Sequence, residues 1–468
     1  MTRRGWTGRR RLFAGLAGAG LAALLGTALM VRPPSPLTIA SAHPVRVSSP
    51  HLRDVAVEMP HGAPTGLALV VSDRGGPGAT KRTVIAALRA RGLIVLPIDL
   101  ERWREGLVRE SGPCLHPIVD VEVLSKETQR SLGAQRYLRP VVVGSGEGGA
   151  MAAAIVARSL AATIAGGVAL DPSDAVGTDR PLCDTPGDGP PEARDAGPAP
   201  NGFAYGRTER MQAPLTVLAA RDDPPGAVHP GAGHFIPERY AEPDPRQRIG
   251  AAVDAAVALA AQDAGTGGLP LVDLPALGPP RAVALFFSGD GGWRDIDKTI
   301  GERLAQDGVH VVGVDALRYF WTDRSPTTVA ADTAAILKQA DPTGGLPVLV
   351  LGYSYGADVF PFAWPHLPAS LRNRVSLIAL LGPGRSTGFS ISVKGWLGMG
   401  GEHAVLPQIA GLPAHKVLCI YGSAEKEPAC TDPALSGVAK VRLEGGHHFD
   451  GDYAGIARRI LDAARLSG

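Results

Sequence analysis

Residues 346–358 read LPVLVLGYSYGAD. The first six form an apolar run of strand length, and Ala357, Asp358 and Val359 continue as a helix start. Between them lies Gly352-Tyr353-Ser354-Tyr355-Gly356. A G-x-S-x-G placed between strand and helix is the pattern of a nucleophile elbow, a sharp turn that lifts a serine hydroxyl off the edge of a sheet. Glycines flank the serine because side chains there would strike the neighbouring strands. The helix behind Ser354 offers backbone N–H groups to a developing oxyanion.

A nucleophile of this kind needs an acid and a base later in the chain, in that order. After Ser354 the apolar run 416–421 ends in Gly422-Ser423-Ala424-Glu425. Glu425 is the expected acid, with Glu427 and Asp432 as alternatives on the same loop. The short run 440–443 leads into EGGHHF at 444–449. His447, directly after the glycines, is the expected base, with His448 as the alternative. The other histidines of this half (His310, His366, His403 and His415) lack such a placement. The expected oxyanion donors are the N–H of Tyr355 and one from the turn GDGG at 289–292, Gly289 or Asp290. Cys419 and Cys430 bracket the acid's loop, and a disulfide between them would clamp it.

The chain repeats itself. LALVVS (67–72) ends in Asp73-Arg74-Gly75-Gly76 and is followed by LIVLPID (93–99); VALFFS (283–288) ends in GDGG and is followed by VHVVGVD (309–315). The same spacing separates Ser72 from Ser288 as Asp99 from Asp315. PVVVGSGEGG (140–149) parallels VLVLGYSYGA (348–357), LTVLAARDD (215–223) parallels VLCIYGSAE (417–425), and AGHF (232–235) parallels GHHF (446–449). Strands alternate with helices throughout, which predicts parallel sheets. The expected fold class is therefore α/β, as tandem α/β-hydrolase-like domains. Residues 50–262 form a degenerate one and 281–468 one with an intact Ser-acid-His triad, joined by a Gly/Pro-rich linker at 263–280. The first elbow carries Gly146 where the second carries Ser354, so Asp222 or Asp223 and His234 stand in acid and base positions without a nucleophile.

Five arginines (Arg3, Arg4, Arg9, Arg10, Arg11), an apolar run at 12–31 and an Ala-Ser-Ala at 40–42 read as an export signal or a single inner-membrane anchor over 1–42. Export would make disulfides available, one per half given two cysteines in each. The 468 residues are 45% hydrophobic and 20% charged, a globular composition, and the net charge of +2 gives no basic face for nucleic acid. The four cysteines show no metal-ligand spacing, and neither metal nor cofactor is expected.

FFSGDGGW at 286–293, Tyr319-Phe320-Trp321, GYSYGAD at 352–358, Tyr421-Gly422 with Glu425, and GGHHF at 445–449 resemble the VirJ/AcvB family of bacterial virulence proteins. The long region before this domain resembles the AcvB branch in layout. That resemblance implies a periplasmic protein that hydrolyses lysyl-phosphatidylglycerol, an aminoacyl-phospholipid of the membrane, to lysine and phosphatidylglycerol. The two ammonium groups of a lysyl ester need carboxylates nearby, for which Asp290 and Asp358 are candidates, and Tyr319 and Trp321 are candidates for the lipid side. Alternatives are another exported esterase, lipase or thioesterase, or a chaperone-like factor whose N-terminal domain binds secreted proteins or a secretion system.

Overall fold

The computed structural model describes residues 45–183, 197–199, 202–205, 211–221, 235–264, 268–391 and 401–466. The expected export segment at 1–42 lies outside them, as do Asp222, Asp223 and His234. Among the described residues no helix is long and apolar enough to cross a membrane.

Apolar runs become strands because both faces of each sheet are covered. β1 (Gly66–Val71) is buried at every residue, and so is the later strand Ala282–Phe287. The first half continues with α1 (Ala79–Ala90), β2 (Leu93–Ile98), α2 (Leu100–Leu107), α3 (Pro117–Ser131), β3 (Val141–Ser145), α4 (Glu147–Arg158), β4 (Gly166–Leu170), β5 (Leu215–Ala219), β6 (Glu238–Ala241) and α5 (Pro245–Ala264). The second half comprises β7 (Leu271–Leu274), β8 (Ala282–Phe287), α6 (Asp295–Gln306), β9 (Val309–Val314), α7 (Pro326–Ala340), β10 (Val348–Tyr353), α8 (Tyr355–Ala363), β11 (Val375–Leu381), β12 (Val417–Gly422), β13 (Ala439–Leu443) and α9 (Tyr453–Ala463).

Two large sheets result, of order β6-β5-β4-β3-β1-β2 and β7-β9-β8-β10-β11-β12-β13. All first-sheet pairs are parallel, as are all second-sheet pairs except β7 with β9. Without β7 the two orders are the same, strand for strand. Small fixtures repeat as well: the Ser72 hydroxyl accepts from Leu100 N at 3.0 Å, and the Ser288 hydroxyl from Ala316 N at 2.9 Å.

The stretch 263–280 is not a bare linker. α5 runs to Ala264, and β7 adds an antiparallel edge strand to the second sheet. Its Gly/Pro flanks hide a four-residue strand whose Leu271 packs on one face of the sheet and Val272 and Leu274 on the other. Both halves belong to one compact unit, Pro36–Gly468. Tyr137 of the first half is buried in the core of the second, 5.0 Å ring to ring from Trp321.

Candidate active site

β10 delivers Ser354 at φ 51°, ψ −117°, a backbone region that side-chain-bearing residues rarely occupy. The turn is held by Ser354 N–H donating to Leu381 O at 2.8 Å. The flanking glycines are sterically required. A Cβ on Gly352 would lie 2.6 Å from Ala357 N, and one on Gly356 would lie 2.3 Å from Phe287 O. The local sequence thus admits this turn and little else.

Two loops converge beside it. The loop after β12 carries Glu425 and the loop after β13 carries His447, whose Nδ1 lies 2.5 Å from Glu425 Oε1. Glu425 Oε2 accepts from Gly422 N at 2.9 Å, which fixes the carboxylate. A carboxylate at Nδ1 keeps the proton there and leaves Nε2 free to accept one. The His447 ring packs at 5.3 Å on Tyr353, the residue before Ser354, and Tyr353 Oη donates to His447 O at 3.3 Å. Space for the imidazole comes from Gly382, directly after β11: a Cβ there would stand 2.8 Å from His447 Cε1 and 3.4 Å from Glu425 Oε1. Sequence reasoning missed Gly382, although the Gly-Pro-Gly at 382–384 marked a turn.

The alternatives make other contacts. Glu427 offers its carbonyl, and Asp432 its carboxylate, to Arg385. His448 stands edge-on to His447, and burial holds its imidazole below the usual value despite the opposing pull of Asp295. Cys419 and Cys430 are disulfide-bonded across the Glu425 loop, and Cys114 is bonded to Cys183 in the first half. Cys114, His116 and Cys183 lie close enough together to hold a metal, but the disulfide occupies both thiols.

The first half shows what became of the other site. Gly146 repeats the elbow with φ 56°, ψ −126°. Where the second half has Gly289, the first has Asp73, and its Oδ1 accepts from Arg74 N at 2.7 Å and Glu147 N at 2.8 Å. These N–H groups correspond, residue for residue, to those of Asp290 and Tyr355. A carboxylate oxygen of the protein therefore fills the first half's anion-binding turn. A Cβ on Gly146 would lie 2.1 Å from the same oxygen, so a serine there and this position of Asp73 exclude each other. The buried Glu147 fills the remaining space, accepting from Arg74 Nε, Arg104 Nη1 and Gly177 N at 2.6–2.8 Å. In the second half the turn is empty of side chain at Gly289, whose Cβ position is 3.7 Å from Ser354 Cβ.

Asp358, on the first turn of α8, is buried. Burial pushes its carboxyl well above the usual range, one backbone bond from Gly384 N at 2.6 Å opposes this, and Asp290 raises it further. The expected lipid-facing role of Tyr319 and Trp321 is corrected. Both are core residues, 1% exposed. Tyr319 Oη donates to Asp332 at 2.5 Å and Trp321 Nε1 to Ala134 O at 2.8 Å. Large aromatics after a strand suit a pocket wall and an interdomain core equally well by sequence.

A parallel sheet of this order, with a serine on a strained strand–helix turn and a carboxylate–histidine pair beside it, defines an α/β-hydrolase-fold protein. Its disulfides are those of a chain that folds in an oxidising compartment, outside the cytosol. Residues 281–467 match the family described as bacterial virulence protein (VirJ). No curated protein matches the sequence. Similar solved structures include the esterase domain of a Rhodothermus marinus protein, with 17% identity over 42% of this chain and 92% of that one at TM-score 0.31. Est1E from Butyrivibrio proteoclasticus with bound ferulic acid shows 14% identity over 42% and 94% at TM-score 0.32. MenH from S. aureus shows 10% identity over 42% and 98% at TM-score 0.33. The fold assignment rests on the topology and elbow described above.

Proposed function

We propose that the protein is a periplasmic serine hydrolase that cleaves the aminoacyl ester of lysyl-phosphatidylglycerol through an acyl-enzyme on Ser354. The observation that carries the reading is the pairing of a strained, serine-bearing elbow with Glu425–His447, beside a turn left empty where its twin is filled. His447 Nε2 takes the Ser354 proton as Oγ attacks the ester carbon. The N–H groups of Tyr355 and Asp290 receive the oxyanion, and Glu425 stabilises the imidazolium. His447 then returns the proton to the departing glycerol oxygen, so phosphatidylglycerol leaves as an alcohol. Water, deprotonated by His447, hydrolyses the acyl-enzyme and releases lysine and free Ser354.

The substrate class comes from the resemblance to the AcvB branch. Buried Asp358 supports it, because burial holds its carboxyl in the neutral form and an entering cationic acyl group would favour its ionisation. The test is the lysyl-phosphatidylglycerol content of membranes from cells making the wild type or Ser354→Ala. Depletion by the wild type alone is expected, and equal lipid levels would refute the substrate assignment. Fluorophosphonate labelling that persists in Ser354→Ala would refute the nucleophile.

A further inference from the structure

The first half reaches into the second half's site through α3. Glu122, buried on this helix, receives Arg294 Nη1 and Nη2 on its two oxygens at 3.0 and 2.9 Å. Arg294 lies two residues past the GDGG turn, after Trp293, and its Nε donates back to Gly291 O at 2.6 Å. One turn on, Lys126 Nζ donates to Glu122 Oε2 at 3.2 Å. A further turn on, Arg130 lies over the Trp321 ring at 3.6 Å and donates to the carbonyls of Trp321 and Ile391. The guanidinium of Arg294 is thus a two-sided clamp. One side grips a carboxylate of the other half, and the other grips the turn from which the Asp290 N–H must point.

We propose that Glu122 is a positioning residue for the reaction: through Arg294 it fixes the 289–292 turn, so the first half serves as a brace for the second half's oxyanion site. The planar fork of arginine suits this task, since two parallel bonds to one carboxylate fix orientation as well as distance. Burial pushes the Glu122 carboxyl up, yet Arg294 and then Lys126 hold it below its usual value, so it stays charged in the interior. The degenerate half has a use here that needs no nucleophile of its own.

The proposal rests on the serine-hydrolase reading, and the experiment separates the two. Full-length protein is titrated with a fluorophosphonate, and hydrolysis of p-nitrophenyl butyrate is expressed per titrated site. Glu122→Gln keeps the shape and removes the charge. Arg294→Lys keeps the charge and removes the Nε–H to Gly291. Each should lower kcat per titrated site roughly 10- to 100-fold with KM within about threefold, the scale of a displaced catalytic group. The double variant should be no worse than the poorer single one, because both break one device. A merely structural contact would lower the titrated fraction or the melting temperature and leave kcat per site unchanged. A folded Glu122→Gln with wild-type kcat per site overturns the brace alone; if that variant does not fold, Arg294→Lys decides by the same measure. A wild type that neither labels nor hydrolyses any ester overturns the hydrolase reading and the brace with it.

Discussion

Replacing Gly289 by aspartate should close the second site in the way Asp73 closes the first. In the first half one carboxylate oxygen takes two backbone N–H groups at 2.7 and 2.8 Å. Hydrogen bonds to a charged group contribute about 1.5–3 kcal/mol each, so a substrate carbonyl would have to displace about 3–6 kcal/mol of interaction. At about 1.4 kcal/mol per tenfold, kcat/KM should fall roughly 10²- to 10⁴-fold. Gly289→Asn, neutral, offers two bonds of about 0.5–1.5 kcal/mol each and should fall in between. Gly289→Ala is the steric control: its Cβ meets Tyr353 ring carbons at 3.2–3.3 Å and Ser354 Cβ at an ordinary 3.7 Å, and leaves the turn open. Its loss should stay within about tenfold, the scale of mild overpacking. The assay is kcat/KM on p-nitrophenyl butyrate at constant melting temperature. Equal activity of Gly289→Asp and Gly289→Ala would refute the equivalence of the two turns.

Two further outcomes follow from strain and burial. Ser354→Gly should abolish labelling and still stabilise the fold by about 1 kcal/mol, or roughly 1 °C for a unit of this size, because glycine accepts φ 51° without cost and already occupies the twin elbow at Gly146; a melting temperature unchanged or lowered contradicts this. Burial raises Asp358, so the folded chain keeps a proton that the unfolded chain releases above its usual value of about 3.9. The stability this group contributes is therefore lost as pH rises from there to the raised folded value. Asp358→Asn should flatten that part of the urea-stability profile and raise KM for a lysyl ester but not for an alanyl ester. An unchanged slope, or equal effects on both esters, would count against this role.

The elbow, the order of serine, acid and histidine, and the repeat were legible in the sequence because each is local. Glycines that a Cβ would jam, buried strands written as unbroken apolar runs, and turns repeating in one register leave marks within a few residues of themselves. β7 escaped notice because four residues between prolines and glycines carry too little periodicity, and it exists only through its pairing with β9. Tyr319 and Trp321 read as pocket or core alike, and only the packing of one half on the other decided for core. Tertiary structure paired Glu425 with His447, because loops from two different strands meet there and sequence does not encode which side chains face each other. It also placed Asp73 on the N–H of Glu147, 74 residues away, and Glu122 on Arg294, 172 residues away. The sequence by itself determined that one elbow carries a serine and the other does not. How the elbow without serine is filled, and how helix α3 reaches the other half, was decided by contacts between residues that only the folded chain brings together.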